Sequence, residues 1–210
     1  MKHLENLICR YPVLESVRQS VEEAYALLEA CYQNGGKLLV AGNGGSCADA
    51  EHVAGELMKG FCKKRAVSPE FARNLQNIDP ELGAVLSTSL EGTLPTIALS
   101  SQGSLASAVM NDTDPYSVYA QQVYGLGKEE DVFLGISTSG NSRNILMAAV
   151  AAKAKGMKVL ALTGGTGGRL AQLADTVICV PVSETYQVQE LHLPVYHCLC
   201  LMLEDRFFQE

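Results

Sequence analysis

The sequence predicts an α/β fold, a parallel sheet of five strands covered by helices on both faces. Two observations carry this. Short apolar runs of strand length alternate with helical patterns along the chain. The runs are continuously apolar rather than alternating, as strands buried on both faces are. A third observation points to where a ligand would sit. Several strands run directly into Gly/Ser/Thr-rich turns that open the next helix, and in such sheets ligands bind at the carboxyl ends of the strands. The 210 residues suffice for one domain with a sizeable core, and no linker-like stretch marks off a second.

Residues 1–10 are charged and polar and read as a tail without a secretory signal, with His3 in solvent. Val13, Val17, Val21, Ala24, Leu27, Leu28 and Cys31 recur at helical spacing and predict an N-terminal helix over 13–34. Asn34-Gly35-Gly36 stops it, glycine supplying a positive φ. Residues 37–41 form a strand, Gly42-Asn43-Gly44-Gly45-Ser46 its turn, and a helix follows over about 46–61. Residues 66–93 read as a long, insertion-like connection with a helix around 80–90; connections of that length are often functional or mobile. Strands follow at 95–99, 131–136, 157–162 and 176–180. Helices are predicted over about 142–155, in a short piece ending near Leu173, and over about 185–208.

Composition excludes several classes. No segment approaches the ~18–20 apolar residues of a membrane span. The formal net charge is −7, and the one basic run, Lys63-Lys64-Arg65, reads as a solvated helix end, so a nucleic-acid groove is not expected. The seven cysteines are irregularly spaced with no C-x-x-C pair. They read mostly as small buried hydrophobes in a reducing cytoplasm.

The turn after the third strand carries the most chemistry. Ser137, Thr138, Ser139 and Ser142 place four hydroxyls within six residues, with Gly140 keeping the backbone open. The helix that follows offers unpaired N–H groups and a positive dipole end, so an anion there would accept bonds from both sources. The turn has no lysine and is not a P-loop. It suits a phosphate monoester, against the simpler alternative of N-capping by Ser139 or Ser142. The turn at 164–168 has glycines without such hydroxyls and is expected to be a close-packed turn. His52 and Glu56 share a helix face at i, i+4 spacing. They can bind a metal, pair a base with an acid, or form an ordinary surface pair. The last helix carries Gln189, Glu190, His192 and His197 among apolar residues, where polar groups need partners.

Together these segments resemble the SIS (sugar isomerase) family, and within it the sedoheptulose 7-phosphate (phosphoheptose) isomerases. The matching segments are Gly42-Asn43-Gly44-Gly45-Ser46, Asp49-Ala50-x-His52-x-x-x-Glu56-Leu57, Asn111-Asp112, residues 135–142, Leu162-Thr163-Gly164 and Gln189-Glu190-x-His192-x-x-x-x-His197. The resemblance implies one SIS domain over residues 1–210, a flavodoxin-like three-layer sandwich. It implies conversion of sedoheptulose 7-phosphate to D-glycero-D-manno-heptose 7-phosphate through an enediol. Glu56 would be the base and His197 the acid. Asn43, Gly44, Gly45, Asn111, Asp112 and Gln189 would line the substrate site, and Ser137, Thr138, Ser139 and Ser142 would hold the phosphate. The resemblance further implies one zinc ion per subunit, with His52, Glu56, Gln189 and His197 at the positions of its ligands, and a homotetramer with sites between subunits.

Three features depart from a simple transfer. Gln189 and His197 are roughly 12 Å apart along an ideal helix. Either Pro194 distorts the helix, or the two residues serve from different chains, or the ion has fewer protein ligands. Family members commonly have arginines where this chain has Gly60 and Gln187. The 66–93 connection is longer than usual. A non-catalytic SIS protein, regulating a partner in the manner of replication-initiator-associating relatives or sensing a phosphosugar, is the alternative reading.

Overall fold

The computed structural model describes residues 1–208. Strands β1 (Leu38–Ala41), β2 (Thr96–Ala98), β3 (Val132–Ile136), β4 (Lys158–Gly164) and β5 (Thr176–Val180) form one parallel sheet in the order β2-β1-β3-β4-β5. The chain leaves β1 toward one edge, then returns to place β3 on its other side. The carboxyl ends of β1 and β3 therefore flank the topological switch point, where a crevice opens.

Ten α-helices are present among the described residues: α1 (Lys2–Arg10), α2 (Arg18–Gln33), α3 (Gly45–Met58), α4 (Pro69–Ile78), α5 (Pro80–Ser89), α6 (Gly103–Asp112), α7 (Val118–Leu126), α8 (Arg143–Ala154), α9 (Gly168–Leu173) and α10 (Thr185–Phe207). Alternate strand residues face opposite layers. Leu38, Val40, Leu134 and Ile136 pack with the buried residues of α1, α2, α3 and α10. Leu39, Ala41 and Phe133 pack with those of α7, α8 and α9. Asp131 is 2% exposed and ties the starts of β1 and β3 together, accepting from the Lys37 N–H (2.9 Å), the Lys128 N–H (2.7 Å) and Lys37 Nζ (2.5 Å).

Five expectations are corrected. The N-terminal tail is the helix α1, whose Leu4, Leu7 and Ile8 enter the core while its charged residues cover the outside; His3 pairs with Asp205 at 2.7 Å. The helix expected over 13–34 begins as a 3-10 turn, Pro12–Val17, before α2. The 66–93 connection holds the expected helix, α5, and a second, α4, in an antiparallel hairpin. Ser68 and Asp79 cap their first turns, accepting from Phe71 N (3.1 Å) and Leu82 N (2.9 Å), and proline opens each helix. Arg65 is not solvated: it is 1% exposed and bonded to Glu204. Of the cysteines, Cys31, Cys198 and Cys200 are buried, whereas Cys9 and Cys62 are exposed, and all seven are free thiols.

Candidate active site

At the end of β3 the chain folds through residues 137–142 into α8. Ser137 Oγ donates to Ser142 Oγ at 3.1 Å, and Ser139 Oγ accepts from Asn141 N at 3.2 Å. Ser142 stands at the N-cap of α8 without a side-chain capping bond. The capping alternative therefore fails for it, and the positive end of α8 faces the same space as the hydroxyls. The loop is braced by the next one along the sheet. Thr138 O accepts from Gly164 N (3.1 Å), Gly140 O from Leu170 N (2.9 Å) and Asn141 Oδ1 from Arg169 N (3.1 Å). The turn at 164–168 is thus a close-packed buttress, as expected.

Gly140 is the point where the two loops touch. Its φ is +64°, and a Cβ there would stand 1.8 Å from Gly167 O. Gly140→Ala combines a left-handed backbone, costing roughly 1–2 kcal/mol, with a backbone clash that must push the loops apart. Thermal denaturation should show a lowered Tm, and affinity for a sugar phosphate should fall. An unchanged Tm and affinity would show that the loop is not held this way.

The turn after β1 forms the other wall. Asn43 and Asn144 exchange two side-chain hydrogen bonds, at 2.9 and 2.8 Å, joining this turn to the first turn of α8. Tyr119 Oη donates to Gly42 O at 2.8 Å from the opposite layer. Gly44 has φ +54°, and Gly45 lies under Gln189, whose Nε2 would be 2.4 Å from a Cβ at that position. A cavity of about 590 Å³ opens here, lined among others by Asn43, Cys47, Ser100, Tyr119 and Asn144. Asn111 and Asp112 are bonded to each other (2.8 Å) and exposed at the C-terminal end of α6. The structure does not bring them against Glu56 within this chain.

The acid–base candidates lie where α3 and α10 run side by side. His52 Nε2 is 3.0 Å from Glu56 Oε1 and 3.5 Å from His197 Nε2. His52 Nδ1 is 3.0 Å from Tyr196 Oη, which donates to Asp49 Oδ1 at 3.2 Å. Burial, with the charge of His52 beside it, holds the His197 imidazole below its ordinary value. Burial raises the Asp49 carboxyl. His192 belongs elsewhere. It is fully buried with Nε2 3.1 Å from Thr163 O, and burial pushes its pKa down to about 4, so it is a neutral core residue.

His52, Glu56 and His197 offer the nitrogen and carboxylate donors that zinc takes, and His52 meets each of the other two. As the side chains stand, no group of three or more His, Cys, Asp or Glu among the described residues surrounds a common metal position. Gln189 is apart from them, against Gly45 at the start of α3, while His197 meets α3 at His52. Pro194 lies inside α10 without interrupting it, so it does not draw Gln189 and His197 together. At the positions of the two family arginines, Gly60 donates its N–H to Glu91 at 2.9 Å, and Gln187 bonds Tyr186 at 3.2 Å.

The sequence assigns no role to Asp49, Tyr196, Asn144 or Tyr119, although Asp49 lies in one of the matching segments. Asp49 had a usable signal, since it shares the α3 face of His52 and Glu56 at i−3 spacing. The others act across sequence separations of 77 to 144 residues, with no local signature.

The SIS domain family model matches residues 9–93 and 74–164. Phosphoheptose isomerases of Aneurinibacillus thermoaerophilus and Helicobacter pylori (strain P12) are 36% and 37% identical, over 93% and 92% of this chain and 85% and 88% of theirs. Among solved structures, the phosphoheptose isomerases of Neisseria gonorrhoeae and Francisella tularensis align with TM-scores of 0.75 and 0.77. Their identities are 31% and 32%, and the alignments cover 97% of this chain and 96% and 95% of those chains.

Proposed function

The chain belongs to the SIS-domain phosphoheptose isomerases, and on that premise we propose that it interconverts sedoheptulose 7-phosphate and D-glycero-D-manno-heptose 7-phosphate. The observation that carries the mechanism is the cluster in which His52 contacts both the Glu56 carboxylate (3.0 Å) and the His197 imidazole (3.5 Å), where α3 and α10 run side by side. Glu56 removes a proton from C1 of the ketose. The electron pair forms the C1–C2 double bond as the carbonyl oxygen at C2 takes a proton from His197, giving the enediol. Return of a proton to C2, with loss of the O1 proton, gives the aldose.

The phosphate is assigned to Ser137, Thr138, Ser139, Ser142 and the start of α8. Charge-assisted hydrogen bonds are worth about 1.5–3 kcal/mol each. Ser139→Ala combined with Ser142→Ala should therefore raise KM at least about tenfold with kcat little changed. Steady-state kinetics giving an unaltered KM would remove the phosphate assignment. Asn43 is assigned to the sugar from its place in the cavity lining, and Gly44, Gly45, Gln189, Asn111 and Asp112 from the resemblance.

The zinc ion fits the donor set in kind, with His52, Glu56 and His197 as its holders and Gln189 completing the set only from another turn or another chain. When bound it would polarise the sugar oxygens and stabilise the enediolate charge. A carboxylate that binds zinc tightly is a poor free base, so Glu56 is assigned first as the base. Assembly as a homotetramer is supported by the α4–α5 hairpin, whose Phe71, Ile78, Leu82 and Val85 are 46–85% exposed. Seven free thiols support a reducing, cytoplasmic setting. No helix among the described residues is long and apolar enough to cross a membrane.

Turnover of sedoheptulose 7-phosphate by the purified protein, followed by NMR with and without added zinc, tests the proposal. New signals of the heptose 7-phosphate are expected. Binding of the sugar phosphate without any product would overturn the isomerase reading in favour of a sensor.

A further inference from the structure

Asp49, His52 and Glu56 share one face of α3, and Tyr196 and His197 meet that face from α10. Tyr196 is 2% exposed. Its ring packs edge-on to both imidazoles, with centroids 5.5 Å from His52 and 5.0 Å from His197. Its hydroxyl lies between Asp49 Oδ1 (3.2 Å) and His52 Nδ1 (3.0 Å). A phenol has one proton, and an ionised carboxylate only accepts. With that proton given to Asp49, the Tyr196 oxygen can only accept from His52, so Nδ1 carries the ring hydrogen. His52 then turns a bare Nε2 toward Glu56 and His197. Asp49 Oδ2 is buried with no partner among the described residues, a cost to folding that a purely structural contact leaves unexplained.

We propose that Asp49 and Tyr196 are positioning residues that fix His52 in the Nδ1–H tautomer, and through it set the arrangement of Glu56 and His197. The inference rests on the reading of Glu56 and His197 as the acid–base pair. It has a direct consequence. Glu56 Oε1 and a bare His52 Nε2 are both acceptors, and their 3.0 Å contact is attractive only with a proton or a cation between them. The tautomer thus makes this point of the site demand a positive charge. It is also the arrangement in which a metal-binding histidine anchors its second nitrogen on an outer partner.

The test is 15N NMR of the histidine side chains in metal-free protein at about pH 8.5, above the imidazole range. His52 is assigned by comparison with His52→Gln. Wild type should show Nδ1 protonated and Nε2 bare. In Asp49→Asn the amide can donate to the phenol oxygen, freeing Tyr196 to donate to Nδ1, and the tautomer should reverse. In Tyr196→Phe it should lose its bias. Both variants should lower kcat and zinc affinity about 10–100-fold, with KM little changed because neither residue touches the hydroxyl turn. A wild-type Nε2–H tautomer overturns the proposal. So does retention of wild-type tautomer and kcat in whichever variants fold. Because the tautomer is read without substrate, an inactive wild type with Nδ1–H would sink the isomerase reading alone. An active one with Nε2–H would sink this inference alone.

Discussion

Glu56→Gln should lower kcat by about 10²–10⁴-fold, the range a positioned general base contributes, while sugar phosphate still binds with nearly wild-type affinity. The change keeps the size of the side chain, and the new amide can donate to His52 Nε2, which lies 3.0 Å from the carboxylate, but it removes the group that can take a carbon-bound proton. The phosphate turn lies on another element, between β3 and α8, and is braced by the 164–168 turn rather than by α3. Binding and chemistry should therefore separate. Calorimetric affinity for sedoheptulose 7-phosphate should hold, and exchange of the C1 proton with solvent deuterium should stop along with turnover. Surviving exchange would move the base elsewhere. Lost binding with normal chemistry at saturation would make Glu56 a substrate contact.

The strands and their turns were legible because their signal is local. A buried parallel strand is a run of apolar residues, and a ligand turn concentrates Gly, Ser and Thr within six positions. The same locality made Glu56 and His52 visible as an i, i+4 pair. α1 escaped because nine residues with charges on their outer face look like a tail until a core is there to receive Leu4 and Leu7. α4 had a readable start in Ser68-Pro69-Glu70, which repeats as Asp79-Pro80-Glu81 before α5. Its face, lacking any buried residue, nonetheless resembled loop composition. Tyr196 and Asn144 could not be read, since what they do depends on partners more than 100 residues away. The burial of Arg65 is hidden for the same reason. In the sequence it ends a basic run, and only the fold brings Glu204 to it.

That pair supports the second large effect. Arg65→Met should destabilise the protein by about 3–5 kcal/mol, the cost of leaving one partner of a buried ion pair alone, out of a total of roughly 5–15. The side chains of Arg65 and Glu204 are 0% and 1% exposed. Arg65 Nε donates to Glu204 Oε1 at 2.9 Å, and its other nitrogens to Leu57 O at 2.8 Å and Glu56 O at 3.0 Å. Glu204 also accepts from Phe61 N and Cys62 N, at 2.8 and 2.9 Å. The pair thus clamps the end of α3, immediately beside the base, to α10. Methionine fills much of the volume but strands a buried carboxylate and two carbonyls. Burial alone would raise the Glu204 carboxyl, but the bonds from Phe61, Cys62 and Arg65 outweigh it and hold the pKa below the ordinary 4.5. A lowered folded-state value means that this stabilisation is fully present above the ordinary value. It is lost as the pH falls through the lower one. The gap between wild type and Arg65→Met in denaturant unfolding should therefore be widest near neutrality and narrow on acidification below about pH 4.5, because a protonated Glu204 needs no cation. Adding Glu204→Leu to Arg65→Met should recover part of the loss at neutral pH, since no buried charge is then left unpaired. Equal unfolding of wild type and Arg65→Met would show that the clamp adds nothing, and a gap independent of pH would place its energy in packing rather than in charge.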